Sequence, residues 1–186
     1  ALLTLKGADR ACKAEAAWTT ENEVWPMTLA QLVGRACEIA GIELGSANFP
    51  NASLLIEQGA AVETTARAMI AYAAQVAGCY ARMGRDGRLY LRWYSSSNRE
   101  IGPESTTEAM RAQYAPRPID QVRVIAEESD LGMNYPEGVE ARAPLVIENN
   151  PLLYALTAAP KEEQQDALKS IYDGVAGYSY APLEWR

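Results

Sequence analysis

The side chains of this 186-residue chain that could carry out catalysis are mainly carboxylates, because histidine is absent. Without histidine, the chain lacks the commonest general base and the commonest metal ligand. Two adjacent acid pairs, Glu127-Glu128 and Glu162-Glu163, raise the question of a glycosidase. Neighbouring residues diverge by about 100° on a helix or point to opposite faces of a strand, whereas glycosidase acids face each other roughly 5–10 Å apart. We therefore expect no enzyme, and a cell-wall hydrolase that uses acids distant in sequence is the alternative.

Other kinds of chemical site are also not indicated. Cys12, Cys37 and Cys79 are odd in number and far apart, so they are interpreted as buried or free thiols rather than as a disulfide framework or zinc site. Residues 84–87, Gly-Arg-Asp-Gly, lack the ending of a phosphate-binding loop. The sequence therefore predicts neither a cofactor nor a metal ion.

The composition predicts a globular protein that does not bind nucleic acid. Hydrophobic residues make up 48% and charged residues 22%, which is typical of a folded domain. The net charge is −7, whereas nucleic-acid binding needs a basic surface. No apolar run reaches the length of a membrane span, and no signal peptide is recognisable. The start at Ala1, apparently inside a strand, suggests a piece of a longer polypeptide.

Residues 1–96 are predicted to form a domain of two helices and a β-hairpin. A capping box at Thr28-x-x-Gln31 begins the first helix, which Gly41 ends. The second begins near Thr64 or Thr65 and ends at Gly78. Residues 79–94 indicate a hairpin with a two-residue Asp-Gly turn, which places Leu89, Leu91 and Trp93 on the covered face. The predicted buried faces are Leu29, Leu32, Val33, Ala36, Cys37 and Ala40 in the first helix, and Ala66, Met69, Ile70, Ala73, Val76 and Ala77 in the second.

Residues 97–186 are predicted to form a β-rich module with one amphipathic helix, after a linker at 95–98. Strands are expected from Ile119 and over 143–147, and the helix is expected from Pro160 or Lys161 to Gly174. A short helix is expected within 104–114, a stop at residues 149–151, and an aromatic strand over 177–182. The whole chain is therefore assigned to the α+β class.

Aromatic residues with a polar end dominate over phenylalanine, which indicates protein contacts. The chain has ten Tyr and four Trp against one Phe, and such side chains are enriched at interfaces. Tyr178, Tyr180 and Trp185 are the interface candidates, with the alternative that they cover the domain's own helix. The four arginines at 82, 85, 88 and 92 are interpreted as solvated charges. A carbohydrate-binding module that uses Trp18, Trp25 and Trp93 as stacking platforms is a further alternative.

Three blocks of sequence, in this order, resemble the hub proteins of siphophage tail tips, which are similar in fold to the trimeric hub of contractile tails. The blocks cover most of residues 24–182, and none is a catalytic signature. They are Trp25-Pro-Met-Thr-Leu with its helix to Leu44; Thr65-Ala-Arg67 with the helix and Asp86-Gly-Arg-Leu-Tyr-Leu91; and Ile147-Glu-Asn-Asn-Pro-Leu-Leu153 with Gly177-Tyr-Ser-Tyr-Ala-Pro182.

The resemblance implies a structural component of a phage or prophage tail tip or baseplate hub. It implies a homotrimeric ring, other tail proteins as partners, no specific nucleic-acid or membrane binding, and a place in the virion tail after assembly in the bacterial cytoplasm. It also implies that a partial tube-type β module with one packed helix follows the smaller domain. An acidic channel wall would suit the passage of DNA, because like charges do not bind phosphate.

Overall fold

Helices and small sheets together give the protein an α+β fold, as the sequence predicts. The computed structural model describes residues 10–57, 63–94, 109–111, 118–126, 129–157, 159–177 and 183–185. The helices are α1 (Leu29–Ala40), α2 (Ala66–Val76), α3 (Pro151–Thr157) and α4 (Lys161–Val175). The strands are β1 (Ala17–Thr19), β2 (Met27–Thr28), β3 (Glu43–Leu44), β4 (Leu55–Ile56), β5 (Glu63–Thr65), β6 (Tyr80–Met83), β7 (Arg88–Arg92), β8 (Ala109–Arg111), β9 (Gln121–Ala126), β10 (Ser129–Tyr135), β11 (Pro144–Glu148) and β12 (Leu183–Trp185). Short 3-10 helices span Arg10–Glu15 and Thr20–Asn22.

Helix α1 begins and ends at the predicted residues. The backbone N–H of Thr28 donates to Oε1 of Gln31 at 2.8 Å, and the backbone N–H of Gln31 donates to the Thr28 hydroxyl at 3.2 Å. This reciprocal pair is a capping box, which satisfies N–H groups that have no partner inside the helix. Gly41 ends the helix in the left-handed conformation with a φ of 63°. All six residues predicted for the buried face are buried.

Helix α2 also follows its prediction, and its small residues let other elements approach it closely. The hydroxyl of Thr65 accepts the backbone N–H of Ala68, which caps the first turn. Gly78 follows the helix with a φ of 61°. All six residues of the predicted face are buried, three of them alanines, and α2 contacts both α1 and β6.

The hairpin of β6 and β7 is confirmed, but the predicted two-residue turn is wrong. The pairing of Met83 with Leu89 leaves Gly84 opposite Arg88, and the N–H of Gly84 donates to the Arg88 carbonyl at 2.7 Å. The turn is closed by the N–H of Gly87, which donates to the Gly84 carbonyl at 3.0 Å. Gly87 has a φ of 75° and Asp86 has no positive φ, so the connection has three residues with glycine at the left-handed position.

Strand β9 is the centre of a three-stranded sheet in the second half. It pairs antiparallel with β10 and parallel with β11, and α4 contacts β9 and β10. The predicted strands from Ile119 and over 143–147 and the predicted last helix are confirmed as β9, β11 and α4. The predicted helix within 104–114 is wrong at Ala109–Arg111, which forms β8 and pairs with β12. The predicted strand at 2–6 and linker at 95–98 lie outside the described residues.

Two elements of the second half are not apparent in the sequence pattern. β10 runs through the polar stretch that follows β9, and α3 begins at Pro151, where the sequence predicts a stop. Proline suits the first position of a helix because its missing N–H has no helical partner. Asn150 accepts the backbone N–H of Leu152 at 3.0 Å, which supports this start.

Hydrogen bonds from two asparagine side chains connect the first half to the second. Nδ2 of Asn150 donates to the carbonyl of Tyr72 at 2.9 Å, and Nδ2 of Asn51 donates to the carbonyls of Val76 and Ala167 at 2.8 and 3.1 Å. One cluster of buried hydrophobic residues includes side chains from both halves. The division into domains 1–96 and 97–186 stays a prediction, since its boundary falls outside the described residues.

We expect Gly78→Ala to lower the free energy of unfolding by about 2–4 kcal/mol. A Cβ at this position would lie 3.0 Å from Cγ2 and 3.2 Å from Cα of Ile171, and the left-handed φ adds strain. Gly174→Ala is the matched control, because it lies inside α4 with nothing within 4 Å of the added atom and should gain about 0.5–1 kcal/mol. Urea denaturation measures both, and equal stabilities would contradict the close packing of Gly78 on Ile171.

We expect Asn51→Asp to lower the free energy of unfolding by about 2–3 kcal/mol at neutral pH. The carboxylate would replace an amide donor opposite two carbonyl oxygens, so both hydrogen bonds would become repulsive contacts. Asn51→Gly is the control, because glycine accepts the φ of 58° and removes the bonds without adding charge. Urea denaturation at pH 7 should show a larger loss of unfolding free energy for Asn51→Asp than for Asn51→Gly. At pH 4 the difference between the two variants should be smaller, because the carboxylate becomes protonated. No pH dependence in that gap would refute the arrangement.

Candidate interaction surface

The sheet of β3, β7 and β6 presents a face made of arginine and tyrosine to solvent. The side chains that alternate with the core residues are Tyr80 and Arg82 on β6, and Arg88, Tyr90 and Arg92 on β7. We call these five residues the arginine–tyrosine face. The three arginines are exposed and the two tyrosines are half-buried.

Strand pairing explains why these residues share one face. Arg82 pairs with Tyr90 and Tyr80 pairs with Arg92, so the four side chains project in the same direction. The intervening Leu89 and Leu91 are buried against the helices, as predicted. A register shift of one residue would expose the leucines, so core packing fixes which side the arginines occupy.

Tyr90 is held at the centre of the face by glycines and an acid. A Cβ at Gly45 would lie 2.3 Å from the Tyr90 ring, and one at Gly84 would lie 2.8 Å from it, so side chains at these two positions would displace the ring. The Tyr90 hydroxyl donates to Oδ2 of Asp86 at 2.7 Å. The guanidinium of Arg92 lies 4.1 Å from the ring centroid, in cation–π contact.

The arginines of this region differ in whether an acid neutralises them. Arg88 forms an ion pair with Glu43 at 2.9 Å. Within the described part of the chain, Arg82 on the face and Arg85 in the turn have no acidic partner. These two charges are therefore available to an outside partner. All four arginines of the predicted solvated cluster are exposed, but Arg88 and Arg92 also contact Glu43 and Tyr90.

An aromatic cluster extends the face past the end of β7. The Trp93 and Tyr94 rings lie 6.2 and 5.3 Å from the Tyr80 ring, and Tyr94 is 57% exposed. The prediction that Trp93 is a core residue is wrong: β7 ends at Arg92, so Trp93 leaves the alternation and is half-buried among the tyrosines. Trp18 is 4% exposed, which excludes it as a stacking platform for a sugar.

The three predicted interface residues are not part of this face. Tyr178 and Tyr180 lie outside the described residues. Trp185 belongs to β12, where its backbone pairs with Ala109. Their role stays a prediction. Three features of the sequence point toward this face, namely the excess of tyrosine, the arginine cluster and the predicted hairpin. Only the strand register shows that they meet on one side of the sheet.

A second surface, on α4, carries the opposite charge. A groove of about 370 Å³ runs between residues 51–54 and α4, and Glu162, Glu163 and Asp166 line its helical wall. A second groove of about 470 Å³ adjoins it beside Leu55, which is 55% exposed. We call both together the α4 groove. Among the ion pairs of the described residues, none includes these three acids.

The geometry of the α4 groove differs from that of a glycosidase cleft. In the 370 Å³ part all three acids belong to one wall, and the facing wall of Asn51, Ser53 and Leu54 bears no carboxylate. Glu57 lines only the adjoining 470 Å³ part. Opposed carboxylates are what an acid–base pair on a sugar requires. Acids early in a helix also interact favourably with its dipole, which accounts for Glu162 and Glu163 in the first turn.

The remaining chemical groups of the described residues do not form a site. The three cysteines are free, and burial raises the pKa of the Cys37 and Cys79 thiols to about 11. No group of three or more metal-ligating side chains occurs within the described ranges. In the same ranges, no helix is both long and apolar enough to cross a membrane.

Comparison with known proteins relates the chain only distantly to others. No protein-family model matches it, and neither does any curated protein. The 43 kDa tail protein of prophage MuSo2 from Shewanella oneidensis is similar over 96% of this chain and 52% of that protein, at 18% identity and a TM-score of 0.43. A tail protein from Neisseria meningitidis MC58 is similar over 76% of this chain and 48% of that one, at 14% identity and a TM-score of 0.40. The chain thus spans about half the length of each, and likenesses of this degree do not establish a shared fold.

We expect Tyr90→Phe to raise the pKa of Asp86 toward its ordinary value. The Tyr90 hydroxyl is the main cause that lowers this pKa, followed by the backbone N–H of Arg88. A carboxyl whose pKa is lower in the folded state contributes stability above its unfolded pKa of about 3.9 and loses it as the pH falls through the folded value. Carboxyl NMR titration measures the shift, with Tyr80→Phe as the control on the same face. An unchanged Asp86 pKa in Tyr90→Phe would refute the hydrogen bond.

Proposed function

We propose that the chain is a structural component of a phage or prophage tail, located at the tail tip or baseplate hub, and that it acts through protein–protein assembly. The arginine–tyrosine face is the observation that carries this proposal. Arginine and tyrosine are enriched at the centres of protein interfaces. Here they occupy one side of a sheet whose other side packs on helices.

The sequence blocks that resemble tail-tip hubs support the proposal, because they build this surface and its scaffold. The first block contains α1 and β3, and the second contains α2 and the hairpin. The third contains the start of α3, which contacts α2. The two weakly similar solved structures are themselves tail proteins, the class that the resemblance names, but their low TM-scores give the proposal no support.

The proposed mechanism is geometric and not enzymatic. A rigid sheet backed by helices presents arginine and tyrosine side chains at fixed positions, so a partner can bind without ordering a mobile surface. Copies of the chain would form a homotrimeric ring with other tail proteins, without specific nucleic-acid or membrane binding. The ring would be assembled in the bacterial cytoplasm and remain in the virion tail.

Deletion of the gene in the phage or prophage that encodes the chain tests this function. Electron microscopy of induced particles should show tails that are absent or incomplete at the tip, because the proposed ring would form part of that tip. Complementation with the wild-type gene should restore the tails. Complementation with Arg82→Glu/Arg85→Glu should fail, whereas Arg142→Glu, a charge reversal at an exposed position before β11, should succeed.

Normal infectious tails in the deletion strain would contradict the structural role. A muropeptide-release assay with the purified chain addresses the hydrolase alternative. Under the structural proposal, product release stays at the level of buffer alone, and turnover would contradict the non-enzymatic mechanism.

A further inference from the structure

We infer that the arginine–tyrosine face of one copy docks on the α4 groove of a second copy. This inference rests on the proposed function, because it assigns the two surfaces through which the assembly would form. The occupant of the face is thus another copy of the same chain, bound through its acidic side.

Charge complementarity is the first argument for this pairing. The chain carries a net charge of −7, yet Arg82 near the end of β6 and Arg85 in the following turn have no acidic partners in the described residues. The α4 groove presents Glu162, Glu163 and Asp166, and none of these forms an ion pair within the described ranges. Asp166 does contribute, after Asp173, to raising the pKa of Lys169. Nearby cations are already engaged, since Lys161 pairs with Glu137 and Lys169 pairs with Asp173. The basic face and the acidic groove are therefore complementary in charge.

The chemical character beyond charge also matches. The face adds the exposed Tyr94 ring beside Tyr80, and the α4 groove adds the exposed Leu55 beside its acids. An aromatic side chain that covers an apolar pocket, with charged pairs around it, is the usual arrangement of an interface centre and rim. The apolar contact would supply affinity, and the charge pairs would set orientation and the rate of association.

The positions of the two surfaces determine the kind of assembly. The face belongs to the sheet that contacts α1 and α2, whereas α4 contacts the sheet of β9 and β10. Because the two surfaces lie on different elements, one copy can use both at once. Such a contact is heterologous, since different patches meet, and repeated heterologous contacts form a ring when the rotation closes. The pairing therefore allows a closed ring without any further surface.

A charge-swap experiment tests the inference on the full 186-residue chain. The first variant is Arg82→Glu/Arg85→Glu, and the second is Glu163→Lys/Asp166→Lys. Sedimentation velocity should show concentration-dependent association of the wild type that weakens as salt screens the charges. Each variant alone should associate at least about tenfold more weakly, because like charges then meet. An equimolar mixture of the two should associate again, since each altered surface meets its opposite.

Two single charge reversals serve as matched controls. Arg142→Glu and Glu140→Lys change the same signs at exposed positions outside both surfaces and should associate like the wild type. Circular dichroism of every variant should show the wild-type spectrum, so that a loss of association is not a loss of folding. Cross-linking of Cys substitutions at Arg85 and Asp166 in a Cys12→Ala background should join different copies.

Two results would overturn the inference. One is a wild type that stays monomeric at about 1 mM, where even a millimolar contact is half populated. The other is an equimolar mixture of the two charge-reversal variants that associates no more strongly than either variant alone. If the wild type instead binds double-stranded DNA and Arg82→Glu/Arg85→Glu does not, the face has a nucleic-acid occupant and the inference fails. The gene-deletion experiment is independent of these results, so loss of tails together with a failed charge swap would reject the surfaces and keep the proposed function.

Discussion

The close packing around helix α2 is the constraint on which the rest of this structure depends. On one side, α2 contacts α1 and the strand β6 that carries the arginine–tyrosine face; on another, it contacts α3. Alanines at buried positions and Gly78 after the helix leave the room for these neighbours, and Ile171 of α4 lies against Gly78. Interiors are packed like organic crystals, so an added methyl at such a contact must move a neighbour. The hairpin and α4 are thereby held in one fixed relation.

Hydrogen bonds fix the relative position of the two halves more specifically than apolar packing alone would. Asn51 and Asn150 donate to the carbonyls of Val76 and Tyr72 in α2. Val76 belongs to the last turn, where carbonyls have no partner inside the helix. An amide that meets such carbonyls from another part of the chain fixes both the distance and the orientation of the two parts. The left-handed φ of 58° at Asn51 aims its side chain there, and asparagine accepts this conformation more readily than most residues. The left-handed conformation of Asn51 thus allows its side chain to hydrogen-bond to both halves.

Local signals predicted the first half well because its elements are defined by their own residues. The capping box at Thr28, the stop at Gly41 and the buried stripe of α1 need no knowledge of the rest of the chain. The interaction surface and β10 could not be predicted in the same way. β10 is a polar strand that exists because β9 offers a pairing edge, and pairing between strands is set by tertiary contacts. The face needed the register of β7, which places Tyr90 beside Gly45, a residue that carries no strand signal of its own.

The negative net charge of the chain restricts how copies of it could associate. Most of its charge is negative, and like-charged copies repel one another unless opposite patches meet. In the proposed docking, the two arginines without acidic partners would offer one orientation in which attraction exceeds repulsion. Specific association follows from the difference between that orientation and all others. A conservative change to lysine at Arg82 or Arg85 would keep the attraction but lose the planar, bidentate geometry that guanidinium offers a carboxylate. Orientation should therefore be more sensitive to that change than overall affinity.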